Sequence, residues 1–356
     1  MTLLSPDKSF TQQNPRQSTN RLLMPVTYLL WALSEVASWI VRPPKLTPSE
    51  TTKRSYETLL DPLCADTGIW LDYTEGYHET GSETYAEAQK KQFDYILAQC
   101  GCQPGTKVFD MGCGNGGLLQ YAAEQGCIGA GVTLSSVQAE TCRAAGHDVV
   151  QGNIFDIQER FESGQFDVVV INGSSEHYVS AEDAVEGKAA EIRTRFFEIV
   201  QYLLRPGGKF FITCIHYRYP TQPNQLLKHP LRHDFGSYDF YCSILYHFYA
   251  GWYPHEGDYE AAASKVGFKK LLEREATEDY LKTSIEWCDR YEAFKRDNKA
   301  FMVKHLWPYF FRDPRYLFIG YLYDYYYAWS WQFRGGADSP MKHKWLLFES
   351  TKANQG

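Results

Sequence analysis

Eight consecutive residues, Asp110-Met111-Gly112-Cys113-Gly114-Asn115-Gly116-Gly117, have the types and spacing to hold a nucleotide-like ligand. Glycines this dense cost backbone entropy, so they imply a sharp turn that lets a ligand approach the main chain. Gly112-x-Gly114-x-x-Gly117 satisfies the dinucleotide fingerprint, which alone discriminates poorly between ligands. Three neighbouring features separate a dinucleotide from S-adenosylmethionine (SAM). Asp110 stands directly before the loop, where a carboxylate suits an ammonium and a sulfonium and repels a pyrophosphate. The next apolar run ends Gly131-Val132-Thr133-Leu134-Ser135, without the acid roughly 20 positions on that would bond a dinucleotide's ribose. The run after it leads into Gly152-Asn153-Ile154-Phe155-Asp156, a segment suited to an adenine edge. The expected ligand is SAM, held by Asp110, Gly112, Gly114, Gly116, Thr133, Leu134, Asn153 and Ile154. Its sulfonium is an activated methyl donor, so the expected protein task is to align an acceptor and exclude water.

A strand must deliver Asp110 and a helix must receive Gly117. Lys107–Met111 is an apolar run suited to a buried strand, and 117–125 reads as the helix. Further strands are expected at 128–133, 148–151, 166–172, 209–215, 268–274 and 344–349, with helices near 82–99, 135–145, 187–204 and 259–266. Alternation at this spacing implies an α/β fold: a doubly wound, mostly parallel, seven-stranded Rossmann-like sheet. Residues 217–258 are crowded with Tyr, His and Phe without a clean period, and 278–335 are helical and aromatic. These late insertions suggest a mainly helical cap over the carboxyl edge of the sheet, where such sheets bind ligands. The expected organisation is an extension over 1–50, a SAM-binding core over 51–216, cap insertions at 217–258 and 276–340, core at 259–275 and a closing strand in 341–352. Residues 1–20 are polar and expected to be disordered, and 42–52 read as a linker.

The 356 residues, 44% hydrophobic and 22% charged, suffice for one large domain. A net charge of -7 argues against nucleic acid, where basic residues supply most affinity. Nine cysteines form no paired framework and no zinc spacing, so no metal is expected in a reduced, cytoplasmic protein. Leu22–Val41 is largely apolar, but Pro25 and Glu35 interrupt it, and a charge there is costly in a bilayer. An amphipathic helix is expected, lying on the protein's own body, on a second copy as a homodimer contact, or on a membrane surface as a peripheral contact.

Dispersed motifs then carry a resemblance. Val108 to Gly117, Gly131 to Ser135, and Gln138 resemble the SAM site of the cyclopropane-fatty-acid synthase-like methyltransferases, a class I SAM-dependent group. Tyr73-Thr74-Glu75-Gly76-Tyr77 is similar to that family's Tyr-Ser-Cys-x-Tyr segment, and Ser174-Ser175-Glu176-His177 to its Glu-His motif. Asp279-Tyr280-Leu281-Lys282-Thr283 with Trp287 resembles its Tyr-x-x-Thr…Trp segment. The likeness runs from about Leu71 to Glu292. It adds Tyr73, Thr74 and Gln138 to the cofactor residues. Glu176, alone or with Glu75, would hold a cationic substrate or take its proton, His177 is a second candidate base, and Tyr280 could donate a hydrogen bond to substrate.

Two departures bear on chemistry. The family's ring-forming members hold a bicarbonate with a Cys, a Glu, a His, a Tyr and a backbone position. Glu176, Tyr280 and Ile215 match, but Glu75 stands at the Cys position and Thr213 at the His position. A carboxylate at 75 would repel bicarbonate. The first expectation is therefore methyl transfer to N, C or S of a small hydrophobic or amine-bearing molecule. A second is a cyclopropane synthase or methylating enzyme acting on unsaturated acyl chains of lipids. A third is a non-catalytic SAM- or lipid-binding protein. The cap aromatics Phe240, Tyr241, Tyr246, Phe248, Tyr249, Trp252 and Tyr253, with the run over 318–332, serve either as ordinary core or as a pocket for an apolar chain or onium group.

Overall fold

The computed structural model describes residues 17–60 and 72–351. Seven strands form one sheet in the order β3-β2-β1-β4-β5-β7-β6. They are β1 (Lys107–Met111), β2 (Ile128–Thr133), β3 (Asp148–Gln151), β4 (Phe166–Asn172), β5 (Leu204–Tyr217), β6 (Phe268–Glu275) and β7 (Met341–Ser350). All run parallel except β7, which lies antiparallel between β5 and β6. Strand order reverses between β1 and β4, where a doubly wound sheet opens a crevice at the carboxyl ends. Asp110 is aligned there with Gly131 of β2 and Val170 of β4.

The major helices are α1 (Gln17–Val41), α2 (Pro48–Ser55), α3 (Tyr85–Cys100), α4 (Gly117–Glu124), α5 (Ser136–Ala144), α6 (Ala189–Leu203), α7 (Tyr238–Tyr249), α8 (Asp258–Val266), α9 (Thr277–Asp297), α10 (Lys299–Arg312) and α11 (Pro314–Tyr325). Successive strand residues face opposite sides, so each strand feeds two cores. Val108, Val168, Val170 and Phe211 pack with Ile96 of α3 and Leu118 of α4. Phe109, Val169, Ile171 and Phe210 pack on the other side with Phe196, Phe197 and Val200 of α6. A third, aromatic core lies in the cap.

Three expectations change. The stretch 42–52 is not simply a linker: Thr47 and Glu50 form a capping box, Pro48 sits in the first turn, and α2 follows before passing into a π-helical turn, Tyr56–Leu60. That box is an N-terminal signature that the Pro-rich composition hid. The irregular 217–258 segment contains α7, buried on nearly every side. A helix buried all round has no polar face and hence no amphipathic period. Helix α1 begins at Gln17, so 17–20 are helical, while the expectation for 1–16 lies outside the described residues.

Helix α1 is seated on the cap. Thr27 Oγ1 lies 3.1 Å from the Tyr326 hydroxyl, the Trp31 ring stacks on His229 at 4.8 Å, and Arg315 donates to Glu35 at 2.7 Å.

The strap at 72–78 crosses α3 where no side chain fits. A Cβ on Gly76 would overlap that of Ala88 and lie 2.9 Å from its carbonyl carbon, while Tyr77 N donates to Ala88 O at 2.7 Å. Gly76→Ala is expected to lower stability by about 1–3 kcal/mol through overpacking, read as a lower urea midpoint, with weaker SAM binding because the strap carries Tyr73 and Thr74. An unchanged midpoint would show that the strap yields freely.

Candidate active site

The glycine loop turns directly from β1 into α4. Gly112 has φ 93°, and a Cβ there would lie 2.6 Å from Ser174 Cβ, so side chain and backbone both require glycine. Beside it is a cavity of about 600 Å³. Of the expected cofactor residues, Tyr73, Thr74, Gly112, Gly114, Thr133, Leu134, Gln138, Asn153 and Ile154 line it. Gly116 and Asp110 do not. Gly116, at φ 85°, starts α4, and Asp110 is 2% exposed behind the loop.

Asp72, Glu182 and Asp183 line this cavity, and of these three carboxylates Asp72 is the buried one, set against the glycine loop. Tyr73 N donates to it at 2.8 Å. A Cβ on Gly114 would come within 3.2 Å of Asp72 Oδ1, and one on Gly117 within 2.6 Å of Oδ2, so the carboxylate rests on the loop. Burial raises the Asp72 pKa to about 6 against backbone hydrogen bonds from Tyr73 and Gly117. Burial, then the Asp72 charge, pushes Asp110 well above the carboxylate range, and its Oδ1 is buried without a partner. Two neighbouring buried acids favour a cation between or beside them. The ammonium and sulfonium of SAM meet that demand, so the residues present fit the cofactor. At the far side Thr133 donates to Gln138 at 2.5 Å in place of the acid a dinucleotide site would use.

Residues before the strap also line this cavity, among them Lys45, Thr47, Thr52, Lys53 and Tyr56. Sequence reasoning missed them because a short polar helix has no apolar signature. It missed Asp72 because a lone loop acid looks like any solvated charge.

A second cavity, about 420 Å³, shares Tyr56, Tyr73, Gly173 and His177 with the first, so the two meet at those residues. Its walls include Tyr249, Tyr253, Tyr280, Trp287 and Trp329, with Met302 and Leu306 of α10. Of the cap aromatics, Phe248, Tyr249 and Tyr253 line it, while Phe240, Tyr241, Tyr246 and Trp252 belong to the cap core and not to this lining.

Glu176, His177 and Tyr280 line this second cavity. Glu176 Oε1 accepts the Ile215 amide hydrogen at 2.7 Å, and Oε2 is buried without a partner. Burial raises its pKa to about 7 despite backbone hydrogen bonds. Burial lowers His177 to about 4, leaving it neutral at pH 7. Tyr280 is held between Phe333, stacked at 4.4 Å, and the edge-on His343 ring at 4.6 Å. Burial first, then the charges of Glu75 and Glu176, keeps its phenol protonated.

Glu75 lies outside that lining. It is fully buried, and Oε1 accepts from His343 Nε2 at 2.6 Å and Trp345 Nε1 at 2.5 Å. Burial alone would raise its pKa, but the His343 charge and these hydrogen bonds together hold it below the ordinary value. His343 and Trp345 alternate along β7 and so share a face. In sequence they read only as part of a closing strand. Thr213 donates to Asn172 at 3.0 Å, and Asn172 to Gln92 at 3.0 Å. The Tyr-x-x-Thr segment of α9 fixes the strap: Thr283 Oγ1 accepts from Gly76 N at 2.9 Å and Asp279 from His78 N at 2.8 Å.

The family model described as mycolic acid cyclopropane synthetase matches residues 53–322. A probable fatty acid methyltransferase of Mycobacterium tuberculosis is 26% identical over 246 residues, which are 67% of this chain and 50% of that relative. The chain thus spans about half the length of that relative. The structure of a cyclopropane synthase from the same organism matches with TM-score 0.64 at 20% identity, covering 86% of this chain and 99% of that one. A mycolic acid cyclopropane synthase complexed with SAH and CTAB matches with TM-score 0.63 at 20% identity, covering 85% and 98%. At such identities the structural likeness establishes the seven-stranded methyltransferase fold.

Asp72 gives the cofactor site a pH dependence. Its carboxylate is charged above pH about 6, and protonation below that removes its attraction for a cation. SAM affinity measured by calorimetry is expected to fall roughly tenfold from pH 7 to pH 5. Asp72→Asn should bind weakly at pH 7 and lose most of that pH dependence. Wild-type affinity independent of pH would exclude this role.

Proposed function

The chain belongs to the mycolic acid cyclopropane synthetase family, and we propose that it is a SAM-dependent enzyme that methylates a carbon–carbon double bond in an acyl chain. The observation that carries this proposal is the aromatic and aliphatic cavity that meets the cofactor cavity at Tyr56, Tyr73, Gly173 and His177. Its relatives, a probable fatty acid methyltransferase and cyclopropane synthases, support an acyl chain over a small amine. An amine would also have to rely on Glu176, which is only about half ionised near pH 7.

When bound, SAM supplies an electrophilic methyl group. The alkene donates its π pair to that methyl as the sulfur–carbon bond breaks, leaving positive charge on the neighbouring carbon. Tyr249, Tyr280 and Trp329 line the cavity, and an aromatic ring attracts a desolvated cation by about 0.5–2 kcal/mol when well placed. The mainly aromatic and aliphatic lining disfavours water, which would otherwise capture that carbon. A proton must then leave. Its loss from a neighbouring carbon gives a methyl-branched alkene, and its loss from the new methyl with ring closure gives a cyclopropane. Glu176 Oε2 is the acceptor assigned here, since it is buried, unpartnered and on the cavity wall.

Bicarbonate does not fit the groups that the resemblance implies. The Ile215 amide is bonded to Glu176, the Thr213 hydroxyl to Asn172, and Glu75 to His343 and Trp345. The proposal therefore has the proton pass to the chain's own carboxylate.

Incubation with methyl-labelled SAM and unsaturated phospholipid is expected to place label in the acyl chain, with a mass gain of one CH₂ and no dependence on added bicarbonate. Glu176→Gln should lower kcat by roughly 10²–10⁴-fold while leaving SAM affinity within about twofold. Wild-type kcat should rise as pH passes through about 7, because the ionised form is the base. Label confined to polar amines, or an absolute bicarbonate requirement, contradicts the proposal. Absence of any SAH formation favours a non-catalytic binding protein.

A further inference from the structure

Helix α1 presents its faces in the reverse of the usual order. Its small polar residues Thr27, Ser34 and Ser38 are buried against the protein. Its apolar residues Val26, Leu29, Leu33, Val36, Trp39 and Ile40 point outward, with Trp39 74% and Ile40 68% exposed. A helix packed for water alone would do the opposite. The described part from Met24 to Val41 is long and apolar enough to cross a membrane. It is nevertheless tied lengthwise to the cap through Tyr326, His229 and Arg315.

Helix α10 touches α1 and repeats the pattern. Val303, Trp307, Phe310 and Phe311 are exposed at i, i+4, i+7 and i+8. Met302 and Leu306, on the adjoining face of the same helix, line the second cavity. One helix thus serves both that cavity and an outward apolar stripe. Exposed apolar surface of this kind marks an interaction face.

The charge around the two stripes distinguishes the occupants. Helix α10 carries Lys299, Lys304 and Arg312, all exposed, and no acid. Arg42 and Lys45, also exposed, follow α1. The single acid between Met24 and Val41, Glu35, is paired with Arg315. On a chain of net charge -7 this is a locally basic, apolar face. It complements an anionic lipid surface, where apolar residues enter the acyl boundary and basic residues meet headgroups. A second copy of the same basic face would bring like charges together.

We propose that the outward faces of α1 and α10 form a docking surface for an anionic lipid bilayer, with α1 lying in its plane. Docking sets the cavity wall built by Met302 and Leu306 beside the acyl chains. This delivery role rests on the acyl-chain function proposed above, whereas docking itself does not.

The full chain should co-sediment with vesicles of equimolar phosphatidylglycerol and phosphatidylcholine, and much less with phosphatidylcholine alone. Leu33→Glu combined with Trp307→Glu should weaken that binding at least tenfold. The double variant should keep the wild-type circular dichroism and SAM affinity, and methylate a dispersed short-chain acyl substrate at the wild-type rate. Lys304→Glu with Arg312→Glu should erase the preference for anionic vesicles. Wild-type protein that ignores vesicles, or a double variant that binds them unchanged, overturns the proposal. So does a wild-type dimer in analytical ultracentrifugation that the double variant splits and that shows no vesicle binding. Vesicle binding without lipid methylation would leave docking standing and remove the acyl-chain function.

Discussion

A single buried carboxylate anchors the strap on which both cavities depend. Glu75 has no solvent, and its charge is held by His343 and Trp345 from the antiparallel strand β7. Removing either partner would leave a charge in a dry interior, a loss of about 3–5 kcal/mol for buried pairs. The same strap carries Asp72 and Tyr73 on one side of Glu75, and Gly76, clamped by Ala88 and Thr283, on the other. The last strand of the sheet therefore fixes the first residues of the cofactor site, although 270 positions separate Trp345 from Glu75.

That constraint explains why four acids in one region behave differently. Glu75 is held ionised by a partner, Asp72 lies near pH 6, Glu176 near pH 7, and Asp110 stays neutral through burial and the charge of Asp72. Environments that push carboxyl pKa values apart are how one site divides binding from proton transfer. Asp72 touches the cofactor cavity and suits a cation. Glu176 faces the second cavity, where burial brings its pKa to about 7.

The sheet was largely legible because its strands are near-continuous apolar runs, the mark of strands covered on both faces. The glycine loop was legible because steric demand at Gly112 writes itself as residue type. What stayed hidden lacks a local signature. Asp110 was assigned to the ligand by position in the motif, yet Asp72, thirty-eight residues earlier, occupies the cavity edge. His343 and Trp345 looked like interior strand residues, since only the folded sheet brings them to Glu75. Helix α7 was invisible because a helix buried on all sides has no period. Residues 45–56 looked like a connection, although they close one side of the cofactor cavity.

The departure at position 75 changes meaning once its partners are known. Taken alone, a carboxylate at a place where the family's ring-forming members have Cys is an obstacle to an anion. Bonded to His343 and Trp345, its Oε1 is committed to two hydrogen bonds inside the protein. The stronger obstacle is geometric. The Ile215 amide and the Thr213 hydroxyl are spent on Glu176 and Asn172, and a free anion would have to break those bonds in a low-dielectric pocket before gaining any of its own. In the proposed reaction Glu176 would need no capture from solvent, and the proton transfer would depend on one fixed group and on the burial that holds its pKa near 7.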